Sequence, residues 1–72
     1  MKEDWDELCK KDFAFNGETY IVRALSDGAK CNVQVFKNGK KVNKDNYMGD
    51  LDKKDRLMDK AESDVRNNMN QI

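Results

Sequence analysis

The sequence predicts an α+β fold: a four-stranded antiparallel β-meander, a C-terminal helix packed on one of its faces, and a short N-terminal helix. Three observations carry this. Asn16-Gly17, Asp27-Gly28 and Asn38-Gly39 separate β-prone runs at regular intervals, and such pairs suit type I′ hairpins because both central residues need positive φ. The registers imposed by those turns agree on one apolar side. Beyond Gly49 the apolar spacing changes from alternating to helical.

The turns place the strands at about 11–15, 18–25, 30–37 and 40–43. The first sets Phe15 opposite Glu18, Phe13 opposite Tyr20 and Lys11 opposite Val22. The second sets Ala24 opposite Cys31, Val22 opposite Val33 and Tyr20 opposite Val35; the third sets Lys37 opposite Lys40 and Val35 opposite Val42. Facing residues share a side and sides alternate along a strand. One face therefore gathers Phe13, Phe15, Tyr20, Val22, Ala24, Cys31, Val33, Val35 and Val42. A slip of one residue would scatter this set over both faces.

Residues 3–10 are expected to form the N-terminal helix. Trp5, Leu8 and Cys9 fall at i, i+3 and i+4, with acidic residues at the start and Lys10 at the end, matching the helix dipole. So short a helix needs burial to persist. Trp5 is expected in the core, with contact to a partner as the alternative. Asn43 to Gly49 is a polar loop in which Tyr47 is either core or exposed.

Residues 51–67 are expected to form the C-terminal helix, with Asp50 or Asp52 as cap. Leu51, Met58, Val65 and Ile72 recur every seventh residue, with Ala61 between them and Leu57 and Met69 beside the stripe. Asp52, Asp55, Asp59 and Glu62 make an acidic line, but Lys53, Arg56 and Lys60 interleave with it. That pattern describes a solvated face with i, i+4 pairs.

With 72 residues, one domain spanning 1–72 is expected, near the size at which a single core just suffices. Fourteen basic and fourteen acidic side chains cancel, so overall charge favours no polyanionic partner. Locally, residues 13–47 carry six basic and three acidic groups, a net +3. Cys9 and Cys31 are too few for a disulfide scaffold and are read as reduced core or near-core residues. There is no histidine, which removes the commonest triads and zinc sites. The glycines belong to turns rather than a phosphate loop, and no cofactor motif appears. A non-enzymatic protein without cofactor or metal is expected. The acidic start does not resemble a signal peptide and no apolar run is long enough to span a membrane, so a cytoplasmic protein is expected.

The second face of the sheet carries the functional expectation. Ile21, Leu25 and Phe36 lie there among Arg23, Lys30, Asn32, Gln34 and Lys41. The N-terminal helix would cover the apolar members; left open, they form a mixed recognition surface of Arg23, Lys30, Gln34, Phe36 and Lys41. The first expectation is a small protein-interaction module that binds a protein partner or itself as a homodimer through the sheet. The alternative is a nucleic-acid-binding module, with Phe36 as stacking platform and Arg23, Lys30 and Lys41 on phosphates.

Overall fold

The computed structural model describes residues 5–69. They form a five-stranded antiparallel sheet with one α-helix across one face. The strands are β1 (Asp6–Phe15), β2 (Glu18–Ser26), β3 (Lys30–Lys37), β4 (Lys40–Lys41) and β5 (Tyr47–Asp50). A single 3-10 turn, Leu51–Lys53, leads into helix α1, Lys54–Arg66. The lateral order is β1-β2-β3, with β4 and β5 both paired to the outer side of β3.

There is no N-terminal helix in residues 5–10: Asp6 to Lys10 extend β1, and residues 3 and 4 of the expected helix lie outside the described residues. The physical reason is the far half of β2. Its backbone groups from Val22 to Ser26 find their partners on β1, with Cys9 opposite Ala24 and Asp6 opposite Ser26. A two-turn helix has no comparable source of stability. The i, i+3, i+4 spacing that imitates a helix is absorbed by a β-bulge between Glu7 and Cys9. The bulge inserts Leu8 as an extra residue; Leu8 is exposed, and Cys9 turns toward the core.

The first and third turns form as expected. Phe15 faces Glu18 and Lys37 faces Lys40, with Asn16, Gly17, Asn38 and Gly39 all at positive φ. The middle turn is displaced by one residue. Asp27 N–H donates to the Lys30 carbonyl, making Gly28-Ala29 the two-residue loop, with Gly28 at φ +101°. The Asp27 carboxylate accepts from the amides of Ala29 and Lys30, both at 2.9 Å. These two bonds, Lys30 first, hold its pKa below the usual carboxylate value. Moving the loop by one residue slides the pairing by two. Val22 consequently faces Val35, and Ala24 faces Val33, rather than Val33 and Cys31. Sides are unchanged by an even slip, so the apolar face survives.

The fourth strand is shorter than 40–43. It ends at Lys41, although Val42 N–H still donates to the Val35 carbonyl. The chain then leaves the ladder and returns as β5, with Tyr47 opposite Val33 and Asp50 opposite Lys30. Asn43, buried, fills the break: its Oδ1 accepts from Val35 N–H at 3.0 Å, and its Nδ2 donates to the Asp45 carbonyl and Asn46 Oδ1. The side chain thus replaces a missing backbone partner.

Helix α1 lies over the apolar face. Met58, Ala61 and Val65 are buried against Tyr20, Val22, Ala24, Val33, Val35 and Tyr47. Gly49 lets Leu57 approach, since a Cβ there would stand 3.3 Å from Leu57 Cδ1. Tyr47 belongs to the core, and its hydroxyl donates to Asp64 Oδ2 at 2.7 Å. Leu51, expected on the buried stripe, is exposed because the 3-10 turn rotates it away. Met69 is exposed too, and Ile72 lies outside the described residues. Neither Asp50 nor Asp52 caps the helix through its side chain; Asp50 pairs with Lys30 instead. At the other end Asn68 adopts φ +58°, with Asn68 N–H bonded to the Val65 carbonyl and Met69 N–H to that of Asp64. This is a Schellman motif that satisfies the last carbonyls.

Both cysteines are unbridged. Cys31 is fully buried, and that burial pushes its thiol pKa up. Cys9 is partly exposed, beside Met58 Sδ at 3.5 Å and Lys54 Nζ at 3.6 Å. A thiol reagent added to the native protein is expected to react first at Cys9, with Cys31 protected until unfolding. Peptide mapping that found equal rates would contradict the packing of β3 under the helix.

Candidate interaction surface

Helix α1 occupies one face of the sheet; among the described residues no helix or strand packs over the other. Alternation brings Glu7, Lys10 and Asp12 from β1 onto this open face, with Thr19, Ile21, Arg23 and Leu25 from β2. Strand β3 contributes Lys30, Asn32, Gln34 and Phe36; β4 contributes Lys41, and β5 contributes Met48 and Asp50. Four of the five expected binding residues come together. Arg23 faces Gln34 across β2–β3, Phe36 faces Ile21, and Lys41 faces Phe36 from β4. Lys30 stands apart, four residues from Gln34 along β3, or about 13 Å at ~3.3 Å per residue.

The centre of the assembled group is Phe36. Its ring, half-buried, carries the Arg23 guanidinium 5.9 Å from its centroid. Arg23 Nε also donates to Glu7 Oε1 at 2.8 Å. Glu7, Lys10, Ile21, Arg23, Phe36 and Gly39 line a shallow depression at this point. Glu7 and Lys10 are absent from the sequence-based set because they were assigned to a helix. Their signal lies in the bulge, which no local pattern reveals.

The electrostatics are balanced. Four basic side chains (Lys10, Arg23, Lys30, Lys41) share the face with three acidic ones (Glu7, Asp12, Asp50). Lys30 Nζ meets Asp50 Oδ1 at 2.9 Å; this bond raises the lysine pKa and lowers the aspartate pKa. Two of the three cations expected to meet phosphates are thus already paired with carboxylates. Farther along, Leu25 and Asn32 face each other and are buried, and Asn32 Oδ1 has no hydrogen-bond partner. Met48, opposite Asn32, is 54% exposed.

Among the described residues no three His, Cys, Asp or Glu side chains converge on a metal position. No helix there is long and apolar enough to cross a membrane. Trp5, just ahead of β1, is partly buried. Comparison with protein-family models, curated proteins and solved structures finds no match for this chain.

Proposed function

We propose that this chain is a small non-enzymatic interaction module that holds a protein partner on the open face of its sheet, around Ile21, Arg23, Gln34, Phe36 and Lys41. The observation that carries the reading is an aromatic ring and a β-branched side chain, half-buried and facing each other, on a face that no helix or strand among the described residues covers. Around them the charges are mixed in sign, and Arg23 and Lys30 are each paired with a carboxylate. Apolar anchors inside a polar rim suit a protein surface, where aromatic residues and arginine supply most of the binding energy. A phosphate backbone would instead draw on unpaired cations.

The test is a double variant, Phe36→Ala with Arg23→Ala. It is expected to lose a protein partner that wild type retains, with a melting temperature within a few degrees of wild type. A large fall in stability would make this face core rather than contact surface. In parallel, mixed-sequence single- and double-stranded nucleic acid is titrated at low salt. Binding that weakens steeply as salt rises would overturn the reading in favour of Arg23, Lys30, Phe36 and Lys41 as a nucleic-acid surface.

A further inference from the structure

We propose that β1 is a self-pairing edge, at which two copies of the chain join antiparallel about a twofold axis with Lys10 of each copy opposite Asp12 of the other. This deepens the interaction reading by naming one partner, a second copy, and uses the margin of the sheet rather than its open face.

The backbone sets the first condition. Strand β1 is ten residues long and, among the described residues, pairs on one side, with β2. The two-residue turn at Asn16-Gly17 makes Phe15 and Glu18 a hydrogen-bonded pair. Bonded and non-bonded pairs then alternate along an antiparallel ladder. Phe13, Lys11 and Cys9 therefore direct their N–H and C=O groups toward β2, while Ala14, Asp12 and Lys10 direct theirs outward. A second strand can bond only to this outward set.

Charge sets the second condition. A twofold axis makes the two strands antiparallel and the contact self-complementary. Three central registers then satisfy the outward groups. One places Lys10 against its own copy and one places Asp12 against its own copy, both setting like charges directly opposite. The third places Lys10 against Asp12, twice. Neither residue has an ion-pair partner among the described residues, and Lys10 sits opposite the like-charged Arg23 on its inner side. The partner's Asp12 would offset that repulsion.

The helix-covered side is compatible with the same register. Lys11 meets its own copy there, one like pair against two Lys10–Asp12 pairs, and each Lys11 keeps Glu62 Oε1 at 3.1 Å, a carboxylate it shares with Arg66. Cys9 falls opposite Phe13, both only partly buried in the single chain, so pairing removes more apolar surface from water. The bulge at Leu8 shifts the register beyond Cys9. Lysines at an edge commonly discourage pairing, yet Lys10 and Asp12 have opposite sign and two-residue spacing, which matches the strand's own antiparallel copy.

The experiment is light scattering across a concentration series on wild type, Lys10→Asp, Asp12→Lys and the exchanged double variant. Wild type is expected as a dimer that weakens with salt. Each single variant sets like charges opposite and is expected as a monomer. The double variant, and an equimolar mixture of the two single variants, are expected to regain the dimer. All positions are exposed, and circular dichroism verifies that each variant is folded. A wild type that stays monomeric at millimolar concentration overturns the proposal; so does a dimer indifferent to the single changes, or an exchange that fails to restore it. Phe36→Ala alone, on β3 and away from this edge, is expected to leave the dimer unchanged, which separates the edge from the open face.

Discussion

Val33→Asp is expected to abolish cooperative folding, whereas Gln34→Asp leaves it nearly intact. Val33 is fully buried, facing Ala24 on β2 and Tyr47 on β5 beneath the helix. A carboxylate there has no cation or donor to meet, and burying an unpaired charge costs several kcal/mol even after relaxation. A chain of this size has about 5 kcal/mol of stability to lose. Gln34, the next residue, is half-buried on the open face opposite Arg23, so a carboxylate gains a neighbouring guanidinium. Circular dichroism with urea titration checks both. A Val33→Asp protein with the wild-type midpoint would place that strand face in solvent.

The second large effect is expected at Asn43. Replacement by alanine leaves the buried Val35 N–H without its acceptor and frees the Asp45 carbonyl and Asn46 side chain. An orphaned buried donor costs about 1–3 kcal/mol, and loss of the other two bonds adds to it. The expected result is a fall of about 2–4 kcal/mol in unfolding free energy. Amide exchange would accelerate most at Val35. Asn43→Asp keeps the acceptor but loses both donors and buries a charge, so it is not expected to rescue. If the urea midpoint of Asn43→Ala matched wild type, the side chain would not be holding the break between β4 and β5.

These two residues mark the limits of what the sequence discloses. Val33 was legible because turn chemistry and alternation are local, and an error in one turn was harmless. Asp27-Gly28 gave way to Gly28-Ala29 because the Asp27 carboxylate binds the turn amides from outside the loop. The resulting slip was even, so no side chain changed face. Asn43 was not legible, because nothing local distinguishes an asparagine that replaces a backbone partner from one in a loop. Strand β5 was missed for a related reason. Tyr47-Met48-Gly49-Asp50 is short and contains glycine, and it is a strand only because β3 offers an unpaired edge. The N-terminal helix failed because Trp5, Leu8 and Cys9 share no side in the extended chain: Leu8 is the exposed bulge residue and Cys9 turns to the core, which their spacing alone does not reveal. Of the open face, the cluster of Arg23, Gln34, Phe36 and Lys41 followed from alternation alone. Glu7 and Lys10 required knowing where β1 begins.

The break between β4 and β5 also bears on the proposed pairing of two chains. A sheet with two continuous free margins is a monomer in the polymer sense: each addition leaves a fresh end, and growth runs on to a fibre. Here one margin is interrupted between Lys41 and Tyr47, where the Asn43 side chain binds the connecting loop, so it presents no uninterrupted run of amides and carbonyls. Among the described residues, the β1 side is the uninterrupted margin. Pairing of two copies at that edge, as proposed, would leave no second growing end.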